Sequence, residues 1–393
     1  MTPRFVPSAE LDQRLSRWMR IGGTAGIVLL IISIVGGFFN PGQFFSSYLF
    51  GYLFWLGITL GCLALLMTQF LTGGAWGVMA RRSFEAASRT LPLLAVLFIP
   101  IAFGIPHLYP WANAADVNRD DVMRHRAWYM NSQFFIGRAI LYFAIWICLM
   151  WLLNRWSREE DDGIYRLNRF ERLSAPGLIL YVFTVTFASV DWAESLFAHW
   201  YSTIWGFLFV AGQGISSFGF TIVALCVLAR WQPMSGTFRA SHLHDLGKLL
   251  LMAVMLWAYF SFSQLVIVWS GNLTTEIPWY FTRWHGSWGV IGLCLIFLQF
   301  LVPFLLLLSR SLKRNPAAIS VVVGILLVMR LVDLYWIVLP GLDRDRIHLS
   351  WMQFTTPLGL GCIWLAAYCW QLRRRPLLPL GAPNLEEALA HGE

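Results

Sequence analysis

Ten apolar segments dominate this 393-residue chain, each near the ~20 residues that a helix needs to cross a bilayer. They lie near residues 22–39, 47–72, 91–107, 133–153, 175–191, 200–229, 246–270, 286–308, 317–340 and 350–371. A bilayer core has no water to bond exposed backbone N–H and C=O groups, so only helices or a closed barrel can span it. Runs of this length are helical. Only 13% of the residues are charged, about half the share of a soluble domain. The expected fold class is therefore an all-α integral membrane protein of ten transmembrane helices over residues 22–371, surrounded by membrane lipids. Residues 1–21 read as an N-terminal arm and 372–393 as a C-terminal tail. In the arm, Leu11, Leu15, Trp18 and Met19 share one helical face and Arg14 and Arg17 the other, which suits either an interfacial helix or a solvated arm. The first apolar run ends on Phe38-Phe39-Asn40 rather than a small-residue cleavage site, so no cleavable signal peptide is expected.

Lys and Arg orient the chain. Of 29 basic residues, 21 fall in the N-terminus, the C-terminus and the loops after spans 2, 4, 6 and 8. The opposite side holds seven, namely Arg119, Arg124, Arg126, Arg138, Arg283, Arg344 and Arg346, while Arg330 lies within span 9. The positive-inside rule predicts cytoplasmic termini. A net charge of +8 spread over short loops is no nucleic-acid footprint. The 21 Trp residues suit a chain with many membrane–water boundaries.

An internal repeat is visible when span 2 is laid on span 6. Ser47-Tyr-Leu-Phe-Gly51-Tyr-Leu-Phe-Trp-Leu-Gly57 matches Ser202-Thr-Ile-Trp-Gly206-Phe-Leu-Phe-Val-Ala-Gly212 at five of eleven positions. The same offset pairs Gly137 with Gly292 and Arg155 with Arg310, and after a shorter loop Val190-Asp191 falls on Val332-Asp333. The expectation is two four-helix bundles, about 44–191 and 200–340, pointing the same way and flanked by spans 1 and 10.

The stretch from Ser189 to Gly214 stands out chemically. A span ends on Asp191, Trp192 and Glu194, a short loop carries His199 and Trp200, and the next span follows at once. Ionisable groups at a bilayer edge are costly and point to function. Asp191 and Asp333 each come ~24 Å along a core of about 30 Å. Arg330 precedes Asp333 by three residues, on one helical face, whereas Asp191 needs a partner from elsewhere, for which Arg138 in span 4 is the candidate. Either pair serves packing alone or forms the fixed part of a polar pocket or proton path. His199 is placed to exchange a proton or to touch headgroups. On the other side, His242, His244, Asp245 and Lys248 open span 7, and Gln264 lies further along it. This is either a proton entry or a solvated helix N-terminus.

Several chemistries are disfavoured. The eight histidines at positions 107, 125, 199, 242, 244, 285, 348 and 391 sit at span ends, in loops or in the tail, so a bis-His haem within the membrane is not expected. The six cysteines form no CxxC pair, speaking against an iron–sulfur or zinc site; they read as small buried hydrophobes. No P-loop or HExxH motif occurs.

Four segments carry a resemblance: Tyr129-Met-Asn131 through Arg138-Ala-Ile-Leu-Tyr-Phe143, Val190-Asp-Trp-Ala-Glu194 through His199-Trp200 to Gly206, Leu243-His-Asp-Leu-Gly-Lys248 with Phe262-Ser-Gln264 through Asn272, and Met329-Arg-Leu-Val-Asp333 through Trp336. They resemble the ActF-type, NrfD-like membrane subunits of alternative complex III, a bacterial quinol:electron-acceptor oxidoreductase. The resemblance covers nearly the whole chain. It implies an inner-membrane subunit, with no redox cofactor of its own, beside a paralogous NrfD-like subunit, an iron–sulfur subunit and haem c subunits. It further implies a quinone or quinol region at the outer face, for which the matching residues are Asp191, Glu194, His199, Trp200, Arg138 and Asn131. A proton path would use Asp333, Arg330, His244, Asp245, Lys248 and Gln264. Where the family pattern has Pro before His199, this chain has Ala198. Two other readings stand beside it: a purely structural anchor for redox subunits, and a secondary transporter. The transporter reading lacks the matched Gly/Pro interruptions such folds use.

Overall fold

A computed structural model describes residues 5–164, 168–341 and 349–390. Arg4, Arg166, Arg344, Arg346, His348 and His391, counted above, lie outside them. Among the described residues the chain is helical throughout, without a strand. In order come α1 (Ala9–Phe39), α2 (Pro41–Thr72), a third crossing in four pieces, α3 (Ala75–Ser88), α4 (Leu91–Leu97), α5 (Ile99–Phe103) and α6 (Ile105–Leu108), and two short loop helices, α7 (Ala114–Arg119) and α8 (Asp121–Arg126). Then follow α9 (Ser132–Asp161), α10 (Arg169–Trp192), α11 (Trp205–Leu228), α12 (Ala240–Gly271), the short α13 (Ile277–Trp284), and α14 (Gly286–Cys294), which continues through a π-helical stretch, Leu295–Leu301, into α15 (Val302–Leu308). The chain closes with α16 (Arg310–Arg314), α17 (Pro316–Val338), α18 (Met352–Leu372) and α19 (Leu385–Ala390).

Among the described residues nine helical stretches are long and apolar enough to cross a membrane, so the chain is an all-helical, multi-pass membrane protein. The tenth expected span coincides with α18. At 21 residues it is ~31 Å long, enough to cross, but Gln353, Thr355, Thr356, Trp364, Tyr368 and Gln371 dilute its apolar character. It therefore packs inward, on α1 and α2.

The layout is set by which helices face lipid. The most apolar stretch of α2 is 89% buried and that of α1 only 17%, although both are equally suited to a bilayer by sequence. α2 is the central post, touching α1, α3, α10, α11, α17 and α18. It approaches α11 at Gly61, where an added Cβ would lie 2.0 Å from Ser217 Oγ and 2.6 Å from the Gln213 carbonyl. α1 seals against α18 through Gly22 and Gly26; a Cβ on Gly26 would meet the Ile363 backbone nitrogen at 2.8 Å and the Gly359 carbonyl at 2.9 Å. In lipid, helices associate by such close packing of small residues. Gly26→Leu is expected to push α1 off α18, since backbone on the facing helix cannot yield as a side chain would. Overpacking of this kind costs about 1–3 kcal/mol or more, and the unfolding midpoint in nanodiscs should fall accordingly; an unchanged midpoint would count against the close approach.

Around α2 the helices form two sets. α2, α3 to α6, α9 and α10 pack on one another, and so do α11, α12, α14, α15 and α17, with α2 against α11 between them. The third crossing is broken where Pro92, Pro100 and Pro106 each begin a new helix, the first turn being where proline costs no backbone bond, whereas α10 and α18 continue through Pro176 and Pro357. The carbonyls this frees are taken by tyrosines of α2: Tyr52 donates to Leu94 O and Tyr48 to Leu97 O, both at 2.8 Å.

Three expectations change. Residues 73–90, read as a loop, form the helix α3, buried from Gly77 to Ser88. The arm is not separate from the first span, for α1 runs unbroken from Ala9, with Leu11 and Leu15 buried. The C-terminal tail folds back over the protein: Arg373 donates to both Asp12 oxygens at 2.6 and 2.8 Å, and α19 packs on α3. Of the cysteines, Cys62 and Cys369 are buried but Cys148 is exposed.

Candidate functional site

At the end of the molecule where α10 meets α11, Asp191 is fully buried. Arg138 of α9 donates Nε to its Oδ2 at 2.8 Å and Nη2 to its Oδ1 at 2.9 Å, a bidentate fork. Tyr142, one turn along α9, adds a third donor at 2.9 Å. The guanidinium is held in turn by the Tyr129 carbonyl at 2.9 Å and by the Tyr129 ring, 3.8 Å from its carbon. Burial and the nearby Asp191 push the Tyr129 phenol above its ordinary range. With three donors in place, Asp191 is a neutralised, fixed anion.

Glu194 is different. It sits in a single 3-10 turn, Glu194–Leu196, just beyond α10, and is buried, yet its Oε2 has no hydrogen-bond partner among the described residues. It lines a small cavity with Trp111, Met123, Arg126, Met130, Phe197 and Trp200. The cavity measures about 20 Å³, room for one water. The indole nitrogens of Trp111 and Trp200 are also buried without partners. A buried carboxylate oxygen left unbonded is costly, so this is the least satisfied polar spot at this end.

Two residues of the cavity wall, Trp200 and Phe197, are held from behind by the second set of helices and α13. Trp200 stacks on Trp279 of α13 at 4.7 Å between ring centres and meets Trp205 edge-on at 5.1 Å. Arg283, fully buried, donates to the carbonyls of Trp279, Trp336 and Ile337 at 3.1, 3.1 and 2.8 Å. Its guanidinium also lies over the Phe197 ring at 4.5 Å. By sequence Arg283 was only one more outer-loop cation.

Two sequence candidates lie elsewhere. His199 does not join Asp191 or Glu194: it is largely exposed, and its Nε2 lies 2.6 Å from Asp120 Oδ2 at the start of α8. Against the upward push of desolvation, the Met123 N–H, the charge of His199 and the Val122 N–H hold Asp120 below the usual carboxylate range. Arg126 makes a second tie across the same gap, donating to Ala198 O at 2.8 Å. The loop over Glu194 is thus fastened by polar contacts rather than by the expected proline. Asn131 is the N-cap of α9; its Oδ1 accepts from Phe134 N at 3.0 Å and its Nδ2 donates to Ala127 O and Trp128 O at 3.1 Å. That is a capping role.

The second group of candidates divides in two. Arg330 and Asp333, both buried, pair within α17, and Trp257 of α12 donates to Asp333 at 3.2 Å. Buried Gln264 lies two turns further along α12, near Tyr280. His244, Asp245 and Lys248 are at the other end of α12, with Lys248 donating to Asp245 at 3.0 Å. From His244 to Trp257 is ~20 Å of helix, and the residues buried between them are Leu246, Gly247, Leu250, Ala253 and Val254. The six candidates for a proton path therefore form no continuous polar chain along α12.

The largest buried ionic cluster among the described residues is not among the sequence candidates. Glu85 of α3, fully buried, accepts from Arg81 Nε at 3.0 Å, Arg82 Nη1 at 2.6 Å, Ser157 Oγ at 2.6 Å and Arg375 Nη1 at 3.2 Å. Arg81 also pairs with Glu160 and Arg82 with Asp161, at the end of α9. The signal was present, since Arg81, Arg82 and Glu85 have helical i,i+3 and i,i+4 spacing and the run Glu159-Glu160-Asp161-Asp162 offers counter-charges. A basic loop read by the positive-inside rule hid it. Among known proteins, no family model matches this sequence, and no curated protein does so.

Proposed function

We propose that this chain is the membrane subunit of a bacterial respiratory quinol:electron-acceptor oxidoreductase of the alternative complex III type, with two NrfD-like four-helix bundles flanked by α1 and α18. Its termini are cytoplasmic and the Asp191 end faces outward. The reading rests on the sequence resemblance, on the two packed sets of helices, and on one observation above all: Glu194, buried with an unbonded oxygen, opens on a cavity beside a fixed Asp191–Arg138 pair. The chain's part is to handle protons at the outer edge of a quinone region, while electrons pass to iron–sulfur and haem c partners. Quinol bound there would supply the electrons and protons. The cavity takes a water-sized group and not an aromatic ring, so the residues fit proton transfer rather than enclosure of the headgroup.

In this role Glu194 accepts a proton through its free oxygen, and Trp200 and Phe197 keep bulk water off it. The Asp191–Arg138 pair sits one turn away as a fixed dipole. A positioned general base is worth about 10²–10⁴ in rate. Glu194→Gln, isosteric but unable to take a proton, is expected to lower quinol oxidation by the assembled complex about a hundredfold with assembly intact. Full activity in Glu194→Gln and in Asp191→Asn alike would instead favour the second reading, a structural anchor, which the pairing of Asp191, Asp333 and Glu85 with arginines also suits.

A further inference from the structure

At the end of the molecule opposite Asp191, basic side chains converge where a lipid-facing apolar surface stops. α15 turns Leu305, Leu306 and Leu308 outward, and directly after Ser309 the helix α16 brings Arg310, Lys313 and Arg314. α16 packs against α12. On α12, Lys248 is exposed and Met252, Met255 and Leu256 continue outward from it. The change from exposed leucine and methionine to Lys and Arg on two adjacent helices marks a membrane boundary.

Among the described residues the cluster holds more cations than anions. Lys313 is only 6% exposed, and its methylenes lie over Gly247, where an added Cβ would sit 2.9 Å from Lys313 Cγ. Among the described residues no carboxylate pairs with it. Asp245, the nearby acid, is bonded to Lys248 at 3.0 Å. Burial, with Lys248 close by, holds the Lys313 ammonium below its ordinary range. His244, one turn before Lys248, has a buried Nδ1 with no hydrogen-bond partner, and its charged neighbours are three cations, Lys248, Lys313 and Arg310, against one anion, Asp245. Cations gathered this closely, beside an unbonded ring nitrogen, repel one another unless an anion with acceptor oxygens completes the group.

We propose that Lys313, Lys248, Arg310 and Arg314 bind the phosphate of an anionic phospholipid, whose acyl chains lie along the exposed faces of α12 and α15. The phosphodiester supplies the missing charge, and its oxygens accept from the ammonium and guanidinium groups. The geometry favours a lipid over a soluble anion because the polar cluster and the apolar faces are continuous. Basic recesses between membrane helices recognise headgroups in this way.

The test uses the full chain in phosphatidylcholine nanodiscs with graded phosphatidylglycerol, reading the thermal unfolding midpoint and the lipid retained on transfer to detergent. Phosphatidylglycerol is expected to raise the midpoint and to be retained selectively. Each basic group near a membrane surface adds about 1 kcal/mol, so Arg310→Gln with Arg314→Gln should weaken retention about thirtyfold. Both positions are exposed, so this variant keeps the fold. Lys313→Gln removes one such group and should weaken retention about fivefold. Equal retention of the two lipids overturns the proposal. So does an equal rise produced by inorganic phosphate in pure phosphatidylcholine, which would assign the cluster to a soluble anion.

Discussion

Glu85→Ala is expected to destabilise the protein by about 3–5 kcal/mol, the usual cost of removing one partner from a buried ionic cluster. The carboxylate holds Arg81, Arg82, Arg375 and the Ser157 hydroxyl at once. Without it, Arg81 keeps Glu160 and Arg82 keeps Asp161, but Arg375 is left with the Asn154 carbonyl at 2.8 Å. Arg375 anchors the C-terminal tail, whose Leu377 and Leu378 are buried beyond it, so the tail should loosen together with the loss of stability. Unfolding midpoints in nanodiscs and protease sensitivity after Leu372 measure the two effects. A wild-type midpoint with a protected tail would show that the cluster contributes nothing net. Arg375→Ala should free the tail with a smaller drop, because the carboxylate retains its other donors.

Arg138→Leu carries the second large effect. It leaves Asp191, fully buried, with only the neutral phenols of Tyr142 and Tyr129 and no opposite charge, again at about 3–5 kcal/mol. The double variant Arg138→Leu with Asp191→Leu replaces the pair by apolar groups and should recover most of that stability, since buried pairs often do no better than hydrophobic replacements. The double variant also decides function. Recovered stability without recovered quinol oxidation would assign the pair to the site around Glu194, whereas recovery of both would reduce it to packing. Failure of the double variant to regain stability would contradict the account of Asp191 as an anion held by Arg138.

Much of the architecture was legible because lipid imposes a simple requirement: long apolar runs must be helices. The pairing of Asp333 with Arg330 was legible too, being i,i+3 on one helix. The Asp191–Arg138 pair was named as a candidate from depth alone, and the helices bring those two residues together. The repeat guided less than its sequence signal promised. The offset that pairs Gly137 with Gly292 also lays residues 91–107 on 246–262, yet the third crossing is broken by three prolines while α12 is unbroken, and the π-helical stretch lies in the crossing paired with the regular α9. Sequence spacing places residues along a helix, but not the neighbours that accept a freed carbonyl, as Tyr48 and Tyr52 do here.

The sequence by itself determined that this chain is helical, crosses a membrane many times, and concentrates ionisable residues between Ser189 and Gly214. Periodicity and hydropathy are local quantities, and these are local facts. Tertiary structure decided which of those residues work together. It turned His199 outward to Asp120, made Asn131 a cap, and left Glu194 rather than Asp191 as the unsatisfied carboxylate. It also converted an apparently solvated basic loop into the buried Arg81–Arg82–Glu85 cluster under the tail. Whether a charged side chain is spent or free depends on donors that arrive from other helices, and their arrival is a property of packing.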